Sequence, residues 1–197
     1  MKKSYTFIFY GIVGSGKGTQ VDLLNKYLKD SNISEDVLFT STGAEYRKLV
    51  SSGSYTGEIT KSNLDKGFLQ PDFLTISLFT NTLVLGLSEN TTLIADGFPR
   101  TVAQSEAFDH MMKFYGREDV KIVYIELGKE EAITRMKLRA RSDDTDEGIN
   151  NRFNEYINNV VPSMNYFEGK EGYTIYTING NQSIEDVHKE LINTLKI

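Results

Sequence analysis

A glycine-rich turn between a strand pattern and a helix pattern constrains this chain more than any other feature. Residues 5–10 (YTFIFY) form a short apolar and aromatic run typical of a strand, and apolar side chains recur at helical spacing over residues 21–28. Between them lies the segment GIVGSGKGTQ, residues 11–20. Glycines let successive backbone N–H groups converge, the helix N-terminus adds partial positive charge, and Lys17 can reach outer phosphates. The turn therefore predicts a site for nucleotide phosphates.

Strand and helix patterns alternate along the rest of the chain. Further strands are predicted at residues 37–41, 93–95, 121–127 and 173–178, and helices at 73–87, 102–115, 130–141, 146–161 and 184–195. Because each parallel pairing needs a crossover, this order predicts a three-layer α/β/α fold around a five-stranded parallel sheet. The turns at Gly11, Ser41-Thr42-Gly43 and Asp96-Gly97 each follow a strand, so they should meet at the carboxyl edge of the sheet.

Composition limits the classes of partner. The 197 residues fit one domain, and a net charge of −5 without a run of lysine or arginine argues against binding of nucleic acid. The absence of cysteine excludes disulfides, cysteine-bound zinc and thiol catalysis. No segment approaches the roughly 20 apolar residues that span a bilayer. We therefore expect a cytoplasmic monomer that does not bind membranes.

A second motif makes a family resemblance specific. This motif is the run Asp96-Gly97-Phe98-Pro99-Arg100, with Gln104 four residues on. Together with GSGKGTQ, it closely resembles the motifs of the adenylate kinase family of nucleoside monophosphate kinases. The similarity extends along essentially the whole chain. It implies a P-loop core, a helical monophosphate-binding (NMP) insert at residues 42–71 and a lid at residues 136–146. It also implies the reaction ATP + AMP ⇌ 2 ADP with Mg²⁺ as cofactor.

The same resemblance implies roles for individual residues. The residues expected to bind ATP are Gly14, Ser15, Gly16, Lys17, Gly18, Thr19, Arg135, Arg139 and Gln182. Those expected to bind AMP are Thr42, Arg47, Phe68, Leu69, Gln70, Gly97, Phe98, Pro99, Arg100, Gln104, Arg141 and Arg152. The expected catalytic residues are Lys17, Arg100, Arg139, Arg141 and Arg152, and the expected Mg²⁺ site comprises Thr19 and, through water, Asp96.

The distribution of arginine supports a site for several phosphates independently. Only seven arginines stand against fifteen lysines, yet all of them except Arg117 fall on positions that match family motifs. Arginine grips phosphate through two parallel N–H bonds and stays charged at physiological pH. A phosphate oxygen as acceptor needs no general base, because a monoester with a second pKa of about 6 is already ionised at neutral pH. Accordingly, we interpret His110 and His188 as structural.

The identity of the acceptor base depends mainly on Gln104. A glutamine amide offers a donor and an acceptor side by side and can pair with an adenine edge. Thr42 also matches the adenylate pattern rather than the alanine typical of UMP/CMP kinases. AMP is therefore favoured as the acceptor. Two alternatives stay open: a UMP/CMP-type kinase, and a catalytically weak protein that senses adenylates.

Three positions depart from the family pattern. Ile12-Val13 replaces the usual proline of the phosphate loop, which leaves the backbone N–H groups able to converge. Ala44 stands where the family has aspartate, and Glu45, one residue later, points about 100° away if the segment is helical. Only Ala140 separates Arg139 from Arg141, so the lid is expected to be very short and to carry no zinc.

Overall fold

The computed structural model describes residues 4–34, 36–139 and 145–197. In chain order, its strands and helices are β1 (Thr6–Tyr10), α1 (Lys17–Asp30), β2 (Val37–Ser41), α2 (Thr42–Ser51), α3 (Tyr55–Asp65), α4 (Asp72–Gly86), β3 (Thr92–Asp96), α5 (Val102–Phe114), β4 (Val120–Glu126), α6 (Lys129–Arg139), α7 (Asp146–Glu155), a π-helical turn (Tyr156–Val160), α8 (Val161–Asn165), β5 (Tyr173–Asn179) and α9 (Ile184–Leu195).

The strands form one parallel sheet in the order β2-β3-β1-β4-β5. Asp96 at the end of β3 pairs in register with Phe9 of β1 and Ser41 of β2, so the carboxyl ends of three strands lie side by side. The turns after these strands consequently meet at one edge of the sheet. This edge carries the candidate site.

Alternate side chains of β1 supply cores on opposite faces of the sheet, as the period of two in a strand requires. Phe7 and Phe9 pack with residues of α1 and α9, whereas Ile8 and Tyr10 pack with residues of α4 and α5. A stack of phenylalanines, with ring centroids of Phe79 and Phe98 4.1 Å apart, fills the second core. The sheet is thus covered on both faces, and the predicted three-layer α/β fold is confirmed.

The helices differ from the sequence prediction in two places. Thr42 is the first residue of α2 rather than part of a turn, and the segment predicted as the NMP insert contains α2 and α3. The predicted helix at residues 146–161 is interrupted by the π-helical turn and continues to Asn165. Residues 140–144 lie outside the described residues, so the lid stays a prediction. Among the residues described, no helix is long and apolar enough to cross a membrane.

Candidate active site

The phosphate loop connects β1 to α1. Gly14 has φ of +91°, and a Cβ there would lie 2.7 Å from the Ala132 carbonyl oxygen of α6, so only glycine fits. The Lys17 ammonium donates to the carbonyl oxygens of Gly11 at 2.6 Å and Ile12 at 3.2 Å. The lysine therefore folds back over the loop whose backbone would hold a phosphate.

A cleft of about 560 Å³ opens beside this loop. Five cationic side chains line it, each from a different element of the fold: Lys17 of α1, Arg47 of α2, Arg100 after β3, Arg135 of α6 and Arg152 of α7. We call this the phosphate cleft. Concentrated positive charge, with arginines able to form paired N–H bonds, suits a polyphosphate ligand.

Oxygen ligands suited to a magnesium ion lie in the same cleft. Thr19 and Asp96 both line it, and Asp96 is held at the end of β3 beside the phosphate loop. Across the residues that the structure describes, no group of three or more histidine, cysteine, aspartate or glutamate side chains could hold a metal. Mg²⁺ commonly binds through one or two carboxylates together with waters and substrate phosphates, and this donor set fits that mode.

A smaller cavity of about 30 Å³ lies between the NMP insert and the turn after β3. We call it the acceptor pocket; its lining residues are Thr42, Tyr46, Phe68, Leu69, Gln70, Thr75, Gly97, Arg100 and Gln104. A further cavity of about 90 Å³ shares Phe68, Leu69 and Gly97 with this pocket and shares Lys17, Arg100 and Arg152 with the phosphate cleft. The three spaces thus adjoin through shared walls and together make one candidate site.

Gln104 is buried in the wall of the acceptor pocket, with 1% of its surface exposed. Its Oε1 accepts the backbone N–H of Arg100 at 2.9 Å, and its Nε2 donates to Asp72 Oδ1 at 2.8 Å. An amide has two acceptor positions and two N–H groups, so one of each is left for a ligand. That pair matches the adjacent donor and acceptor on an adenine edge.

Some predicted residues do not line these cavities. The side chain of Phe98 stacks in the core, and only its neighbours Gly97 and Pro99 reach the cavity walls. The Gln182 amide donates to the Asn179 carbonyl at 3.0 Å and to the Glu190 carboxylate, outside the phosphate cleft. The side chain of Arg139 and all of Arg141 lie outside the described residues. The site roles of these residues stay predictions.

Glu45 does not replace the carboxylate that Ala44 lacks. Its carboxylate pairs with the exposed Lys48 ammonium at 2.7 Å, and it does not line the phosphate cleft. Sequence reasoning missed Asp22, which does line the cleft. The signal was its position three residues after Thr19 in α1, because residues three apart share a helix face.

The parallel sheet, the phosphate loop and the ring of cations define a P-loop enzyme of the phosphotransferase class. The sequence matches the profile of the family described as adenylate kinase over residues 9–172. It is 30% identical to an adenylate kinase of Dehalococcoides mccartyi over 98% of each chain. It is 32% identical to one of Leptospira biflexa serovar Patoc and 31% identical to adenylate kinase 1 of Nostoc sp., each over 95% of this chain and at least 97% of the relative. The chain belongs to the adenylate kinase family, whose members are nucleoside monophosphate kinases.

Proposed function

We propose that the protein transfers the γ-phosphoryl group of Mg-ATP to AMP, reversibly, and yields two ADP. One observation carries the proposal: a cleft with five cationic side chains adjoins a pocket in which Gln104 offers one free donor and one free acceptor. A site suited to polyphosphate therefore lies next to a pocket suited to adenine. The relatives are named adenylate kinases, which supports adenylate as the acceptor.

The chemistry follows from charge placement. An ionised oxygen of the acceptor phosphate forms a bond to the γ-phosphorus, the bond to the β–γ bridging oxygen breaks, and its electron pair stays on the departing ADP. Lys17, Arg100 and Arg152 line both the phosphate cleft and the connecting cavity. We therefore propose that they stabilise the negative charge of the phosphoryl group while it passes between the nucleotides. Bound Mg²⁺ supplies further neutralisation of the donor phosphates. Thr19 and Asp96 would hold it, Asp96 through water.

The acceptor phosphate needs no general base in this scheme, since it is already ionised at neutral pH. Neither histidine lies where a base would act. His110 is exposed on α5, while His188 of α9 packs edge-on against Tyr27, and burial lowers its pKa. We assign both to structure rather than catalysis.

The test is phosphorylation of each monophosphate by the purified full-length protein. With Mg-ATP as donor, the nucleotides are separated after the reaction and the diphosphate formed is measured. We expect a kcat/KM for AMP at least tenfold above the values for CMP, UMP and GMP. Equal rates with AMP and CMP would contradict the role of Gln104 and favour a UMP/CMP-type kinase. Binding of ATP and AMP without formation of any diphosphate would favour the adenylate sensor. Ala44, which stands where the family has aspartate, is the reason to test that alternative. Lys17→Met is the inactive control.

Hydrolysis of ATP alone provides an independent check. Because the acceptor nucleotide is needed to complete the site, ATP hydrolysis without a monophosphate should be slow. Rapid release of inorganic phosphate from ATP alone would count against the proposed transfer to a bound acceptor. The measurement is a continuous phosphate assay on the same enzyme preparation.

A further inference from the structure

Gln70 carries a buried amide nitrogen that has no hydrogen-bond partner among the described residues. It lies between α3 and α4, with 4% of its surface exposed, and lines the acceptor pocket. Its Nε2 is buried and has no hydrogen-bond partner among the described atoms. Burial of an unpaired amide donor is costly, so a native position that keeps one calls for a ligand or another reason.

The other uncharged polar side chains of this pocket are already paired. The Thr42 hydroxyl donates to the Gly97 carbonyl at 2.9 Å, and the hydroxyls of Tyr46 and Thr75 lie 2.5 Å apart. Gln104 is held by its contacts to the backbone of Arg100 and to Asp72. Gln70 therefore differs from Thr42, Tyr46, Thr75 and Gln104, because its Nε2 has no hydrogen-bond partner among the described residues. A structural role alone does not explain it.

We propose that the Gln70 side chain is a specificity-determining donor to a ring nitrogen of the acceptor base. This inference rests on the proposed function, because it places the base in the acceptor pocket. Gln104 retains one donor and one acceptor, which match the amino group of adenine and the ring nitrogen beside it. Adenine has further ring nitrogens that accept hydrogen bonds, and the Gln70 amide satisfies one of these. The base is then read from two sides.

The first test uses Gln70→Met, which keeps the length of the side chain and removes its polar atoms. In the ligand-free protein the substitution removes an unsatisfied donor, so the melting temperature should rise or stay unchanged. The kcat/KM for AMP should fall on the order of tenfold, mostly through KM, because one hydrogen bond to the base is lost. Gln70→Glu, which offers only acceptors when ionised, should lose more. A Gln70→Met variant with wild-type kcat/KM for AMP would overturn the proposal.

The second test locates the partner atom with 1-deaza-, 3-deaza- and 7-deaza-AMP, each of which replaces one ring nitrogen by C–H. One analogue should lose on the order of tenfold in kcat/KM with the wild type and nothing further with Gln70→Met. Gln104→Met is the matched control and should couple to a different position of the base. Additive losses for all three analogues would overturn the inference. Coupling between Gln70→Met and loss of the 6-amino group, measured with purine riboside monophosphate, would overturn it as well.

These outcomes separate the inference from the proposed function. If the wild type phosphorylates AMP efficiently and the losses from Gln70→Met and from the deaza analogues are additive, only the role of Gln70 fails. If the wild type forms no diphosphate from AMP, the proposed function fails first. Calorimetric binding of AMP and its deaza analogues then measures the same coupling without turnover. Loss of coupling in that binding experiment overturns the role of Gln70 as well.

Discussion

Asp109→Asn should destabilise the protein at neutral pH without changing catalysis. Asp109 of α5 has 2% of its surface exposed. Its carboxylate accepts hydrogen bonds from Lys113 and Lys170 at 2.9 Å and from the Tyr173 hydroxyl at 3.0 Å. Tyr173 is the first residue of β5, whereas the phosphate cleft lies at the carboxyl ends of the strands. The network is therefore remote from the candidate site.

The magnitude follows from the pKa of Asp109. Burial alone raises this pKa, but hydrogen bonds from Lys170, Lys113 and Tyr173 outweigh burial and lower it from 3.8 to about 2. The gap between these values corresponds to about 2.5 kcal/mol of stability at pH 7. Because the folded-state pKa is below the unfolded one, this contribution is complete above about pH 5. Roughly half remains at pH 3, and the rest is lost as the pH falls through about 2.

The assay is urea unfolding of the wild type and Asp109→Asn at several pH values. We expect a difference of about 2–3 kcal/mol at pH 7, or roughly 5–10 °C in melting temperature, with unchanged kcat/KM. The difference should shrink toward pH 3. Lys170→Met should cost more than the matched Lys113→Met, because the Lys170 side chain is 28% exposed and that of Lys113 is 66% exposed. An energy difference that is the same at pH 7 and pH 3 would refute the electrostatic explanation.

Three further predictions concern the site. Lys17→Met should lower kcat by at least about 100-fold in steady-state assays, and a smaller loss would remove Lys17 from the charge-stabilising group. Glu45→Gln should keep kcat within about twofold of the wild type, because Glu45 pairs with exposed Lys48 outside the cleft; a large loss would show that Glu45 reaches the metal. Gly67→Ala should raise the KM for AMP several-fold, since φ is +79° and a Cβ would lie 2.6 Å from the Gly148 carbonyl oxygen; an unchanged KM would mean that this contact yields freely.

The strands were predictable because parallel strands buried on both faces become continuous apolar runs. Residues of β1 and most of β3 are fully buried, and such runs stand out in a sequence of mixed polarity. The order of elements then fixed which turns meet at the carboxyl edge, so Lys17 and Asp96 could be placed together without coordinates. The helical patterns at residues 73–87, 102–115 and 184–195 also appear as helices, with ends that shift by at most one residue.

Other features depend on contacts between distant segments and left no local signal. The π-helical turn after α7 has the apolar spacing of an ordinary helix, so the pattern at residues 146–161 predicted a single element. Gln70 is buried in a pocket that it lines together with Thr42 and Gln104, which are distant from it in the sequence. Likewise, the pairing of Asp109 with Lys170 joins residues 61 positions apart in the sequence. Periodicity cannot report such pairings.

The contact between the NMP insert and α7 links closure of the acceptor side to the phosphate cleft. The Asn151 amide donates to the Lys66 carbonyl at 2.9 Å, and a Cβ on Gly67 would lie 3.2 Å from Cγ of Arg152. Arg152 lines both the phosphate cleft and the connecting cavity. Any movement that lifts the insert off α7 therefore removes a neighbour that packs against Arg152. Because Gly67 lines the connecting cavity and packs against this arginine, we expect an acceptor that holds the insert against α7 also to hold a cation beside the phosphates.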